Sequence, residues 1–266
     1  MDFHDDYARL TPFELAFPDS DALEELVDSV LEEAARLGVD PENRGAFMML
    51  GSVGAFLRDF QPEDAASEAI HDYGALVFHA VHFFRGGGSI HLATVDLVRA
   101  LVDEITKSAT PPVLVAPGEA GYVQLPRNLF WVRPAPDAPA EPADGFFWTL
   151  TDTGVLQVLL ALGLREGRPG MAVVAVPEVP WADAGQWLHA QGRDSGQDFE
   201  TTLPGGELEG LYSLETAGEV LKLVARLFHH METVPHTVEE SAPFDAGPDE
   251  AVAPSRLPYR RVVPDA

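Results

Sequence analysis

The chain has no cysteine among its 266 residues. That removes disulfide staples, thiolate nucleophiles, zinc ribbons and cysteine-ligated iron–sulfur clusters from consideration. Lysine is almost missing as well. Lys107 and Lys222 are the only two, and arginine carries the rest of the positive charge. Against 17 basic residues stand 43 acidic ones, for a formal net charge of −26. Such a surface repels phosphate backbones and anionic lipid, so binding to nucleic acid or a membrane surface is not expected. No stretch approaches the ~20 apolar residues of a membrane helix. The longest apolar run, Val155 to Leu164, is interrupted by Gln157. The opening MDFHDDYARL lacks the apolar region of a secretory signal, and the expected setting is the cytoplasm.

Several chemical signatures are missing too. There is no G-x-S-x-G elbow, no S-x-x-K, no G-x-G-x-x-G and no Gly-Lys-Ser/Thr. His189 has Asp183 and Asp194 near it in sequence, but a triad is spatial, so this proximity predicts nothing.

What is present is a chain with 46% hydrophobic residues, long enough to bury a core. In DSDALEELVDSVLEEAARLG, Leu23, Leu26, Val27, Val30, Leu31, Ala34 and Leu37 share one helical face opposite a run of carboxylates. The stretch from Asp40-Pro41 to Phe60 reads as a second helix, the segment from Pro62 to the triple glycine as a third, and TVDLVRALVDEITKS as a fourth. From Val113 the pattern changes to short β-branched and aromatic segments bounded by Gly, Pro, Asp or Asn, with TDTG as a hairpin turn. A short helix around WADAGQWLHAQ and a longer one in SLETAGEVLKLVARLFHHMETV follow.

The fold class these patterns predict is α+β. It has an N-terminal helical layer of about four helices, a central antiparallel β-meander of about five or six strands, and a C-terminal helix with an extended acidic tail. The expected divisions are a helical subdomain over 1–110, the sheet with its C-terminal helices over 111–234, and a flexible or extended tail over 235–266.

The most chemical-looking stretch is VFHAVHFFRGGGSIH, residues 77–91, with three histidines, three phenylalanines and three glycines. At about 100° per residue, Glu68, His71, His79 and His82 fall within roughly one quadrant of a helix. Glu68-x-x-His71 has the spacing of carboxylate-bridged di-metal bundles. With a rise of ~1.5 Å per residue, however, His71 and His79 lie ~12 Å apart along the axis and cannot share one ion unaided. No second Glu-x-x-His occurs on another predicted helix; Glu24, Glu25, Glu32 and Glu33 belong to a solvated face. His79 and His82 therefore read first as core histidines, and the glycines as a helix stop followed by a turn.

Two further sets of residues could bind. Phe130 and Trp131, with Phe146, Phe147 and Trp148, alternate faces on neighbouring strands, so one sheet face needs a cover or a partner. The segment RLPYRRVVP carries Arg256, Tyr259, Arg260 and Arg261, a small basic-aromatic patch on an acidic chain.

The expected function is an acidic protein–protein interaction, adaptor or assembly subunit without catalytic activity and without a cofactor. Its partner would be a basic protein, or a second copy engaged through the tail. One alternative is an enzyme holding a divalent metal on Glu68, His71, His79 and His82. Another is a small-ligand binder on the aromatic sheet face, using Phe130, Trp131, Phe146 and Trp148.

Overall fold

The computed structural model describes residues 3–17, 21–60, 67–107, 114–132, 139–165, 168–174, 180–190, 211–214, 217–245 and 252–265. The first helix, α1 (Pro12–Ala16), opens with a capping box: the Thr11 hydroxyl accepts the Glu14 N–H, and the Glu14 carboxylate accepts the Thr11 N–H. The amphipathic pattern after it becomes α2 (Asp21–Leu37), which buries Leu23, Leu26, Val30 and Ala34 and exposes Glu24, Glu25, Asp28 and Glu32.

The single second helix expected from sequence is two, α3 (Arg44–Phe47) and α4 (Gly51–Phe60). The break is made possible from outside the segment. Glu33 of α2 accepts the N–H groups of Gly51 at 3.1 Å and Ser52 at 2.8 Å, and so caps a helix start that has no cap of its own. Glu33 is thus not simply part of a solvated face. Next comes α5 (Ser67–Arg85), ended by the glycines as expected.

Directly after the glycine turn lies β1 (Ile90–Ala93), followed by α6 (Val95–Lys107). The remaining elements are β2 (Ala120–Gln124), β3 (Phe130–Val132), β4 (Glu141–Leu150), β5 (Leu156–Arg165), β6 (Arg168–Val174), α7 (Ala184–Ala190), β7 (Tyr212–Ser213), α8 (Ala217–Thr233), β8 (Val238–Ser241) and β9 (Tyr259–Val262).

The α+β class holds, but the sheet is mixed and not an antiparallel meander. Its order is β6-β5-β4-β2-β1-β9-β8, with β3 and β7 attached beside β4. β3 to β6 follow one another as antiparallel neighbours, as do β8 and β9, but β1 runs parallel to both β2 and β9, and β3 parallel to β7. Parallel neighbours need a crossover connection, and α6 provides it between β1 and β2. β2 falls among the extended segments expected after Val113, whereas β1 gives no signal because it is buried on both faces and shows no alternation to read.

Helices cover both sides of the sheet. On one face α1, α2, α4 and α5 pack over Ile90, Leu92, Tyr122, Phe147, Leu159 and Tyr259. On the other, α6 and α8 pack over Val123, Phe146, Trp148, Val158, Leu160 and Val262. Gly121 sits against the Trp148 indole so closely that any Cβ would overlap the ring. Residues 1–110 contribute β1 to the sheet and α6 to the opposite layer.

The segment expected to be a flexible or extended tail supplies two strands. β9 lies between β1 and β8, pairing Ile90 with Tyr259 and Ala93 with Val262. Ahead of it the chain is tied to the N-terminal segment. Leu10 N–H bonds to Ala253 O at 3.0 Å, Ser255 N–H to Ala8 O at 2.8 Å, and the Tyr7 hydroxyl to Val252 O at 2.7 Å. Glu14 closes the connection, its carboxylate accepting the Ser255 hydroxyl at 2.9 Å and the Arg256 N–H at 3.0 Å. Residues 246–251 and 266 lie outside the described residues.

Deleting residues 252–266 should therefore abolish the cooperative fold. It strips β1 of a neighbour and exposes what Tyr259 and Val262 cover, each worth about 1.5–3 kcal/mol of burial, against total stabilities of about 5–15 kcal/mol. A thermal unfolding transition followed by circular dichroism checks this; an unchanged melting temperature would contradict the arrangement.

Candidate functional site

At the end of α5 the backbone forms a regular glycine stop. Gly88 N–H bonds to Phe83 O at 2.9 Å and Gly87 N–H to Phe84 O at 3.0 Å, with Gly87 at φ +92° and Gly88 at φ +66°. These are the two bonds of a Schellman motif, and both φ values lie where only glycine is unstrained. The turn leaves Gly86 and Gly87 exposed and sends the chain straight into β1.

Two shallow concavities meet at this turn and share Gly87, Gly88 and Pro258. One, of about 400 Å³, runs along α2 past Glu24, Val27 and Asp28 to Phe84 and Leu257. The other, of about 360 Å³, runs toward the sheet edge past Glu240, Ser241, Tyr259 and Arg260. Val27, Phe84 and Leu257 are half-buried apolar side chains, while Glu24, Asp28 and Glu240 are exposed carboxylates. Among the described residues, Arg260 is the one cation lining them, 3.9 Å from Glu240 in a pair open to solvent. The groove thus has an apolar floor and an acidic rim.

The histidines do not converge. His79 is buried and its Nδ1 lies 3.1 Å from the Thr149 hydroxyl, while His82 bonds through Nε2 to Pro41 O at 3.3 Å. His71 is exposed, and the side chain of Glu68 lies outside the described residues. Among the described residues no group of three or more His, Asp or Glu side chains is placed to hold a metal ion. His79 and His82 instead pack on Phe78, with His79 also against Phe147 and His82 against Phe47.

Burial holds the His79 pKa well below its ordinary value, with His82 and Arg44 adding to the effect. Burial also lowers His82 to about 4, despite the bond to Pro41. His91 on β1 is likewise pushed to about 4 by burial, with Arg260 contributing. Its Nδ1 is buried with no hydrogen-bond partner among the described residues.

The aromatic residues form the core, not a groove. Phe146 and Trp148 are buried beneath α8, whose Phe228 lies 5.1 Å from the Trp148 ring and 6.4 Å from that of Phe146, and Phe130 is buried beside Tyr212 at 5.4 Å. Phe147 points to the other helical layer. Trp131 is half-buried, its indole N–H bonded to Asn128 O at 3.0 Å. A helix on each side supplies the cover that the alternating aromatics require.

The C-terminal residues are likewise engaged within the chain. Tyr259 is in the core, Arg256 is tied to Glu14, and Arg260 faces Glu240 across the strand pair. Arg261 stands opposite Glu239 in the register, and its Nε is buried.

One cluster had no signal in the sequence. The buried Arg9 guanidinium donates to Asp144 at 2.8 Å, and the same carboxylate accepts the Tyr122 hydroxyl at 2.5 Å and the Gln124 amide at 3.4 Å. Burial, then the Asp144 charge and bond, raise the Tyr122 pKa well above its ordinary value. With both carboxylate oxygens occupied, this network holds the N-terminal segment to β2 and β4 and has no free base to offer.

No protein-family model matches the chain, and no curated protein does. Among solved structures, one titled "Crystal structure of AcrVA2" is similar over 91% of this chain and 93% of that one, at 9% identity and a TM-score of 0.26. A likeness that distant carries no argument about fold or function.

The histidines generate a pH dependence of fixed sign. In the unfolded chain they bind protons near their ordinary pKa of 6.5, whereas folded His82 and His91 do so only near 4. The unfolded state therefore takes up more protons as pH falls through this window, and stability present above about pH 6.5 is lost toward pH 4. Each fully expressed difference has a slope limit of about 1.4 kcal/mol per pH unit. Urea unfolding at pH 7.5 and 5.5 should show the loss, and His91→Phe should make it shallower; equal slopes for the two proteins would contradict this account.

Proposed function

We propose that the chain is a non-catalytic, cytoplasmic interaction protein, an adaptor or assembly subunit, whose groove at Gly87–Gly88 receives a basic, amphipathic segment of a partner protein. The observation that supports this reading is the coincidence of an apolar floor and an acidic rim at one place. An apolar side chain laid against Val27, Phe84 and Leu257 leaves water at a gain of about 25 cal/mol per Å². Arginine or lysine on either side of it then meets Glu24, Asp28 or Glu240. At −26 the whole molecule also attracts a cationic partner over distance, which raises the association rate.

The described residues contain no helix long and apolar enough to cross a membrane, so the proposal needs no membrane anchor. Arg256 and Arg260 already face the chain's own acids, Glu14 and Glu240, which makes self-association through the tail the less favoured reading.

A synthetic peptide alternating arginine and leucine tests the proposal, with its glutamate-for-arginine counterpart as control. Binding followed by amide NMR should perturb Gly87 and Gly88 first and should weaken as salt is added. The double substitution Glu24→Lys with Asp28→Lys should cost at least about tenfold in affinity, equal to roughly 1.4 kcal/mol. Glu25→Lys with Glu32→Lys changes the net charge equally on exposed α2 positions outside the groove and should cost much less. If both pairs have the same effect, the charge acts without a site and the groove assignment fails.

A further inference from the structure

A second cavity, of about 260 Å³ and sharing no lining residue with the glycine-turn groove, opens where the N-terminal segment, the start of β4, the end of β5 and the C-terminal segment meet. Its apolar walls include Leu10, Leu15, Pro142 and Val252, all half-buried. Its volume lies just below the ~300–1,000 Å³ of sites for drug-sized ligands, which suits a short chain and not a nucleotide or a flavin.

Among the described residues, the charged groups in the lining are Arg9, Asp144 and Arg127. Arg9 and Asp144 neutralise each other at 2.8 Å. Arg127 is exposed and has no ion pair or side-chain hydrogen bond among the described residues. Among the described residues, the cavity therefore carries one uncompensated positive charge, on a protein of net charge −26. Arg9 also keeps a donor in reserve. Its Nε and Nη2 are bonded to Asp144 and Leu125 O, but of the two Nη1 hydrogens only one, to His4 O, has an acceptor among the described residues. Next to Arg127, Asn128 adopts φ +64°, a left-handed conformation that Asn tolerates better than most residues. That turn places the cation at the cavity lining.

We propose that this cavity binds a small amphipathic monocarboxylate, its alkyl part against Leu10, Leu15, Pro142 and Val252 and its carboxylate on Arg127. The arginine fork matches a carboxylate in two parallel bonds. A dianionic phosphate suits the site less well, because among the described residues the lining offers one uncompensated cation for its two charges. This site is independent of the glycine-turn groove, and either can stand without the other.

Isothermal titration of the full chain with sodium octanoate tests the proposal, with acetate, octan-1-ol and octylamine as comparisons. Octanoate should bind saturably at one site, and each comparison compound should bind at least about tenfold more weakly. Arg127→Gln should reduce octanoate affinity by at least about tenfold while leaving the melting temperature in place, since the side chain has no internal partner to lose. Ala253→Phe, at an exposed position of the lining, should block binding by occupying the space. The proposal is overturned if octanoate gives no saturable heat below its micellar range. It is overturned equally if octylamine binds as well, or if neither substitution changes the affinity.

Discussion

Four residues of β9 lie parallel to β1, and the rest of the molecule is arranged around that pairing. β1 is buried on both faces and needs a hydrogen-bonded neighbour on each side; β2 supplies one and β9 the other. Because β9 comes from the far end of the chain, the sheet cannot be completed until the C-terminus has arrived. What brings it there is a set of polar contacts between the two ends: the Arg9–Pro254 bridge, the Tyr7 hydroxyl, and above all Glu14. Glu14 is only 3% exposed, yet it accepts bonds from Thr11, Ser255 and Arg256. A buried carboxylate is costly unless its oxygens are paired in this way. One residue both caps α1 and anchors the strand that completes the sheet.

This explains an unusual distribution of charge. The acids outnumber the bases by 43 to 17, and much of the acid excess is displayed on α2, α6 and β8. The scarce cations, by contrast, are partly internal: Arg9 and Arg226 are buried, and Lys222, one of only two lysines, is 1% exposed. Arg9 is spent on Asp144 and Arg226 on Glu104, so each positive charge taken from the surface leaves the outside more acidic. A cation left open at a cavity, as Arg127 is, stands out against this background.

Where the sequence could be read, it was read through periodicity. α2 shows its buried stripe of Leu23, Leu26, Val30 and Ala34 directly, and β4 to β6 show as a meander because a tight turn and aromatic residues bound them. The end of α5 was legible as a glycine stop, since φ values of +92° and +66° demand glycine. The groove built around that stop was not, because its walls come from residues 24–28, 240–242 and 257–260, which no local pattern connects. The ring of Phe228 over Trp148 was equally invisible, and it covers the aromatic face that the sequence offers as an alternative binding surface.

The amino-acid sequence by itself determined the local elements, the α+β class, the acidic surface and the lack of any thiol chemistry, because each depends on residue type or on spacing within one segment. Tertiary structure decided the rest. It split the second helix by lending it the Glu33 cap, set β1 and β9 parallel inside the sheet, and turned the aspartate of residue 144 into the partner of Arg9. Strands buried on both faces show no alternation, and ion pairs join residues more than a hundred positions apart. Neither leaves a mark in a window of sequence; both are chosen only when the whole chain must pair its backbone and neutralise its buried charges at once.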